Sequence, residues 1–339
     1  MRPRILFCAG DIKFVHNEVQ ELFDGLAEVI TLDSFTRADF LAEFKPGGKY
    51  AGTVGIYRRN VSAARIGVFD KELIDAIAVS VKWIAQNGAG YDEIDVEECK
   101  LKGIYVSNTP RVVDDATATA ALYLIVSCLR HFSYAERSLR SLQWKVPISA
   151  GATHDVTNRT LGILGLGGIG LRLAHLAHAF PMHVVYHSRT RKPEVPEWCR
   201  YVSSLPELCA EVDVLSVHVP LMAETIGLVG ENEIRAMKRG SIVVNTSRGK
   251  VVDEEALIRA LEDGHLSSVG LDVYPSEPRV NPRLLEFPQN VLLPHIGGET
   301  YETECIREVR ALSNLRDYLR HGMGGDLVPE LRDKTQVML

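Results

Sequence analysis

Thr160-Leu-Gly-Ile-Leu-Gly-Leu-Gly-Gly-Ile-Gly-Leu-Arg-Leu-Ala-His-Leu-Ala-His178 decides the architecture of this chain. A short apolar run, Thr160 to Leu164, reads as a strand, and Leu171 to His178 has the composition of a helix. Between them Gly165-Leu166-Gly167-Gly168-Ile169-Gly170 fits G-x-G-x-x-G. Glycine runs occur in unrelated loops, so it is the strand before and the helix after that give the motif its meaning. Gly165 permits a tight turn, Gly167 lets a pyrophosphate approach the backbone, and Gly170 lets the helix pack on the strand. The helix amino terminus then offers N–H groups and a positive dipole end to phosphates. The stretch predicts a dinucleotide site on a Rossmann domain.

The next strand, His183 to Tyr186, should end near the adenosine ribose, where a carboxylate normally accepts the 2′-hydroxyl. Here the chain reads His187-Ser188-Arg189-Thr-Arg191-Lys192, with no carboxylate and three cations. Arginine binds a 2′-phosphate through paired hydrogen bonds, whereas an acid repels it. Ser188, Arg189 and Arg191 therefore favour NADP(H), with NAD(H) as the alternative.

Further apolar strands follow at Val212–Val217, Ser241–Asn245, Ser268–Asp272 and Val291–Pro294, making six with helical spacers between most of them. Upstream, Arg4–Cys8, Tyr50–Tyr57, Val81–Ala85 and Ile104–Ser107 alternate with helical patterns at Glu18–Leu26, Lys71–Ile77 and Asp95–Leu101. Strands alternating with helices imply parallel sheets, because each crossover returns over the sheet face. Two doubly wound α/β domains are expected. Asp114 to Arg130 is free of glycine and proline and apolar round much of its circumference, so it is read as a buried helix between domains or subunits. Asn108-Thr-Pro110 before it marks the domain crossing. The last helix, Glu302 to Leu319, follows the final strand; if it returns to the first domain, that domain is discontinuous. The expected division is 1–109 plus 299–339 for one domain and 110–298 for the cofactor domain.

A length of 339 residues exceeds what one core usually serves, in keeping with two domains. Hydrophobic residues at 46% and charged ones at 24% exclude a disordered chain. A net charge of −6 gives no support to a nucleic-acid or acidic-membrane surface. No apolar stretch approaches the roughly 20 residues of a spanning helix. The amino terminus reads as a first strand rather than a signal peptide, and the carboxyl end carries no lipidation motif. Six scattered cysteines without a Cys-x-x-Cys read as reduced thiols of a cytoplasmic protein, and no metal is expected. His175 and His178 stand three apart on a helix but lack a third ligand at a recognisable spacing.

Three residues stand just beyond strands of the cofactor domain. Arg248 follows Ser241–Asn245, Glu277 lies in Leu271-Asp-Val-Tyr-Pro-Ser-Glu-Pro278, and His295 follows Val291–Pro294. Ligands in such sheets bind outside the carboxyl ends of strands, so all three can face one crevice. Each alone is ordinary; beside the glycine loop they form a candidate catalytic set.

These pieces, with Asn87-Gly-Ala-Gly-Tyr-Asp-Glu-Ile-Asp95, Ser247-Arg-Gly249, Val252-Asp-Glu-Glu-Ala256 and Pro294-His295, resemble the D-isomer-specific 2-hydroxyacid dehydrogenases in order and over nearly the whole chain. The resemblance implies a flavodoxin-like substrate domain and a Rossmann domain with a cleft between them. It gives Arg248 the substrate carboxylate and carbonyl, His295 the proton for the ketone oxygen, and Glu277 the other ring nitrogen of His295. Gly88, Ala89 and Gly90 would offer backbone N–H groups to the carboxylate. Asp272 would lie near the nicotinamide, with Val219, Pro220, Thr246 and Gly297 also along the cofactor. His218 reads equally as structural or as a ribose contact.

Within that family, Ser188-Arg-Thr-Arg191 is similar to the NADPH-dependent glyoxylate and hydroxypyruvate reductases, and Gln143-Trp144 to a segment whose tryptophan reaches a neighbouring subunit. A homodimer acting on a small 2-ketoacid is the expectation. Ile56-Tyr-Arg-Arg59 is bulkier than in many relatives, and if Tyr57 and Arg58 border the pocket a larger ketoacid fits the pattern. A D-mandelate-type or broad dehydrogenase is the alternative enzyme. The alternative from another class is a nucleotide-binding module like the corepressors that share the fold.

Overall fold

The computed structural model describes residues 2–8, 12–144 and 150–332, which divide into two compact units, 1–112 with 300–339 and 113–299. The first unit holds a parallel sheet of β1 (Arg4–Phe7), β2 (Glu28–Thr31), β3 (Thr53–Arg58), β4 (Trp83–Gln86) and β5 (Tyr105–Ser107). Its order, β2-β1-β3-β4-β5, is that of flavodoxin-like folds. The helix Tyr301–His321 packs on β3 and β4. It comes so close that a Cβ on Gly55 would meet Leu315 Cδ1 at 2.5 Å, and Tyr318 stacks on Trp83 with centroids 5.3 Å apart. Asp70, Asp95 and Thr300 cap the helices that follow them by accepting from the N–H three residues on.

The second unit contains β6 (Thr160–Leu164), β7 (His183–His187), β8 (Cys199–Tyr201), β9 (Val214–Val217), β10 (Ser241–Asn245), β11 (Leu266–Leu271) and β12 (Val291–Leu292). All pair in parallel in the order β12-β11-β10-β9-β6-β7-β8, the Rossmann order extended by one strand. The chain reverses direction across the sheet between β6 and β9, so the loops after these two strands border the switch point where such sheets bind ligands.

Seven strands stand where the sequence pattern suggests six: β8 is a three-residue edge strand paired with β7. The helix Asp114–Arg130 turns Ala118, Ala121, Leu124, Ile125 and Cys128 onto its own unit's sheet, against β10 and β11, and onto the helix Gly168–Ala179. A sheet face needs a helical cover, and this helix shares that task with Gly168–Ala179. The opposite side, with Asp115, Thr119 and Tyr123, is exposed. His131 takes a left-handed conformation (φ +52°) and starts a second helix, Phe132–Arg140. Trp144 is largely exposed, and the segment 145–149 that follows lies outside the described residues. No helix among the described residues is long and apolar enough to cross a membrane.

Candidate active site

In the second unit the glycine loop follows β6 directly and leads into the helix Gly168–Ala179. Gly165 has φ +95°, and a Cβ there would come within 2.8 Å of Val219 Cγ1. A Cβ on Gly170 would lie 2.3 Å from the Gly165 carbonyl oxygen, which explains why the helix can start so close to the strand. A side chain at Gly168 would run into the Asp114 carboxylate at 1.9 Å. At Gly167, by contrast, no atom stands within 4 Å of the position a Cβ would take. Leu166 is buried in the core, so it can serve a ligand only through its backbone, while Ile169 packs against that core half-buried.

Ser188 follows the end of β7, its hydroxyl donating to the Thr190 carbonyl at 2.9 Å. Arg189 and Arg191 are exposed and have no ion-pair partner among the described residues. Across the switch point, Val219 packs on the core and the Pro220 carbonyl accepts from Thr225 Oγ1 at 2.7 Å. Beside them the His218 imidazole shares a 2.8 Å hydrogen bond with Ser216 Oγ, and burial pushes its pKa down to about 4. Thr246, just past β10, is buried, and its hydroxyl oxygen has no hydrogen-bond partner. A dinucleotide fits this cradle: the space over Gly167 is open where a pyrophosphate needs backbone contact, and Thr246 holds an unused buried polar atom.

Glu277 and His295 meet. Their hydrogen bond, Oε2 to Nδ1, is 2.7 Å long, and the other Glu277 oxygen accepts from the Tyr274 N–H at 2.8 Å. The Glu277 hydrogen bond raises the His295 pKa above its ordinary value; burial and the Arg248 charge oppose this, and the Glu277 and Asp272 charges add to it. Burial pushes the Glu277 carboxyl up, but the His295 and Tyr274 hydrogen bonds with the His295 and Arg248 charges hold it below its usual range. Both shifts favour the charged forms, imidazolium and carboxylate.

His295 itself has φ +57°, a left-handed backbone that a histidine rarely adopts. Asp272 braces it: Oδ1 accepts from the Ile296 N–H and Oδ2 from the Gly297 N–H, both at 2.8 Å. Gly297 must be glycine, because a Cβ would lie 2.7 Å from Asp272 Oδ2. Burial raises the Asp272 pKa against the pull of these two N–H groups.

Arg248 sits in a turn organised by Asn245, a residue that reads in the sequence only as a strand end. Asn245 Oδ1 accepts from the Ser247 N–H at 2.9 Å, and its Nδ2 donates to the Arg248 carbonyl at 2.9 Å. Tyr274 is the other residue missed: its hydroxyl donates to the Leu293 carbonyl at 3.0 Å, tying the Glu277 turn to the chain before His295. The Asn245 contacts are local, an asparagine side chain bonding the backbone two and three residues on as such side chains do in turns, so that signal was there to be read; the Tyr274 partner is 19 residues away and leaves no local pattern.

Gly88, Ala89 and Gly90 belong to the first unit. The Gly88 N–H donates to Thr109 Oγ1 at 3.1 Å, and the Ala89 carbonyl accepts from Asn108 Nδ2 at 2.8 Å. Tyr57 and Arg58, suggested above as pocket walls, are fully buried with partners inside that unit: the Tyr57 hydroxyl with Asn87 Nδ2, and Arg58 with Gln86, Asn60 and Glu93. His175 and His178 both pack on Trp198, His178 stacked flat with centroids 4.1 Å apart.

Residues 122–297 match the family model of the D-isomer specific 2-hydroxyacid dehydrogenase, NAD binding domain. The chain is 43% identical over 328 residues to the 4-methyl-2-oxopentanoate reductase A of Aspergillus oryzae, covering 96% of this chain and 97% of that one. A glyoxylate reductase from Paecilomyes thermophila superposes with a TM-score of 0.92 at 42% identity, covering 98% of this chain and 99% of that one. An NADPH-dependent glyoxylate/hydroxypyruvate reductase from Sinorhizobium meliloti, solved with NADP and malonate, gives 0.83 at 30% identity over 97% of this chain and 98% of that one. With a Rossmann sheet, a glycine loop shaped for a dinucleotide and a histidine–carboxylate pair beyond its strands, the chain belongs to the D-isomer-specific 2-hydroxyacid dehydrogenases, enzymes that use a nicotinamide cofactor.

Proposed function

We propose that the enzyme reduces small 2-ketoacids such as glyoxylate and hydroxypyruvate with NADPH, and that His295 is the proton donor. The observation that carries this reading is the 2.7 Å bond between Glu277 and His295 Nδ1, which leaves Nε2 as the ring's other nitrogen for a substrate oxygen. When bound, the nicotinamide supplies the hydride. His295 gives its proton to the ketone oxygen as that oxygen gains charge, and regains one from solvent afterwards. Glu277 keeps the imidazolium charged before the transfer. Arg248 holds the carboxylate and polarises the carbonyl with its planar fork of donors, and Ala89, Gly90 and Gly88 line the carboxylate from the loop after β4.

Gly165 to Gly170, Val219, Pro220, Thr246, Asp272 and Gly297 are assigned to the cofactor, with Ser188, Arg189 and Arg191 on the 2′-phosphate. The preference for NADPH is supported by the missing carboxylate after β7 and by the NADP bound to the Sinorhizobium relative. Following NADPH absorbance with glyoxylate, hydroxypyruvate, phenylglyoxylate and 4-methyl-2-oxopentanoate tests the reading. It expects the highest kcat/KM with the two small acids. The identity to a 4-methyl-2-oxopentanoate reductase favours a second reading, in which the branched acid leads. NADPH binding with no turnover of any ketoacid would instead support a binding module.

We also infer a homodimer. Tyr123, Phe132, Leu139, Leu142 and Trp144, all within residues 123–144 of the second unit, carry exposed apolar side chains, and a second subunit covers surface of this kind. A monomer by light scattering at micromolar concentration would contradict it.

A further inference from the structure

Arg58 ends β3, and its side chain is fully buried, a costly place for a charge unless its donors are used. Most of them are used on the footing of the loop after β4. Parallel register sets Arg58 beside Gln86, the last residue of β4. Its Nη1 donates to Gln86 Oε1 at 2.7 Å and to Asn60 Oδ1 at 3.0 Å. So oriented, Gln86 Nε2 donates to the same Asn60 oxygen at 2.6 Å and stands 3.2 Å from where a Gly88 side chain would begin. On the far side of the loop, Nη2 pairs with the Glu93 carboxylate.

The backbone follows the same plan. The Asn87 N–H donates to the Arg58 carbonyl at 2.7 Å, and the Phe69 N–H to the Glu93 carbonyl at 2.8 Å. The Phe69 ring lies 5.0 Å from the guanidinium, so the residue that fixes the Glu93 backbone also packs on Arg58. One guanidinium thus grips both flanks, Gln86 and Glu93, of the segment that contains Gly88, Ala89 and Gly90. A lysine has no fork with which to hold an amide on one side and a carboxylate on the other.

We propose that Arg58 is a positioning residue for substrate binding: it fixes the Gly88–Gly90 loop in the conformation that receives the ketoacid carboxylate, without touching the substrate. This rests on the assignment of that loop to the carboxylate in the reading above. A loop that helps the ground state and the transition state equally acts on KM rather than kcat.

The test is steady-state kinetics on the full-length enzyme carrying Arg58→Met, Arg58→Lys, Glu93→Gln or Gly88→Ala. Arg58→Met should raise the ketoacid KM about tenfold while kcat and the NADPH KM stay within about twofold. Arg58→Lys should not restore it, and Glu93→Gln should move the same constant less far. A general loss of structure would move all three constants together and overturn the proposal. Gly88→Ala puts a methyl against Gln86 Nε2 and tests the underlying assignment. If it leaves the ketoacid KM unchanged, the loop does not receive the carboxylate and the inference falls with that reading. If it raises the KM while Arg58→Met and Glu93→Gln match the wild type, the loop reading survives and the role given to Arg58 is wrong. Should Arg58→Met not fold, Glu93→Gln, at a partly exposed position, decides the question alone.

Discussion

Gly249 and Tyr274 are in backbone contact: a Cβ on Gly249 would lie 1.9 Å from the Tyr274 carbonyl carbon. Arg248 precedes the first and Glu277 accepts from the N–H of the second, so this contact sets the spacing between the arginine turn and the histidine's partner. No flexible side chain is available to give way. Gly249→Ala should therefore lower stability by roughly 1–3 kcal/mol, the range for overpacking, and reduce ketoacid turnover more than NADPH binding. Urea unfolding with a fluorescence titration of NADPH checks both. Wild-type stability and turnover would show that the two turns can part without cost.

Asp272 to asparagine removes an acceptor from a place with two donors. The amide nitrogen must face either the Ile296 or the Gly297 N–H, leaving a buried donor unpaired at roughly 1–3 kcal/mol. With half of the brace gone, His295 is held less firmly at φ +57°. Stability and kcat for the ketoacid should fall together, and thermal unfolding beside initial rates measures both. An unchanged kcat would separate Asp272 from the histidine.

The glycine loop and the strand ends were legible because their signals are local: a strand, a turn that only glycine can make, a helix. The placement of Glu277 and His295 beyond consecutive strands followed from the same grammar. Two of the edge strands, β2 and β8, were not. In β2, Glu28-Val-Ile-Thr31 has an exposed residue at each end and two half-buried ones between, so no apolar run marks it. In β8, Cys199-Arg-Tyr201 is too short for any period. The helix 132–140 was hidden by its entry through His131, where a left-handed residue of unremarkable type breaks the run. Gly249 and Tyr274 act on partners in another turn, and the buried grip of Arg58 depends on strand register.

His218 couples stability to acid. Its imidazole should titrate near 6.5 in the unfolded chain, and burial lowers it to about 4 in the folded one. The unfolded chain then binds more protons between those values, so this contribution is complete above about pH 6.5 and is lost as pH falls towards 4. Its size is at most about 3 kcal/mol. Urea unfolding at pH 7.5 and pH 5 should show a larger acid loss for the wild type than for His218→Gln. Equal losses would mean that His218 stays neutral in both states or charges in both.

Replacing Arg189 and Arg191 with alanine should raise the apparent KM for NADPH far more than for NADH. Each lost bond to a charged phosphate is worth roughly 1.5–3 kcal/mol. Initial rates with both cofactors measure this, and equal effects on the two would remove the 2′-phosphate from this turn.

The central claim is that Glu277 holds His295 charged so that it can give a proton to the ketone. The measurement that tests it most directly is the pH profile of kcat/KM for ketoacid reduction in the wild type and in Glu277→Gln. The His295 pKa lies above its usual value because Glu277 hydrogen-bonds the ring. Reduction should therefore fall as pH rises through that raised value, while oxidation of the hydroxyacid grows over the same window. In Glu277→Gln the fall should move to lower pH and the maximum should drop. Two profiles that fall at the same pH would contradict the account, because the proton lost on the alkaline side would then not be one that Glu277 holds on His295.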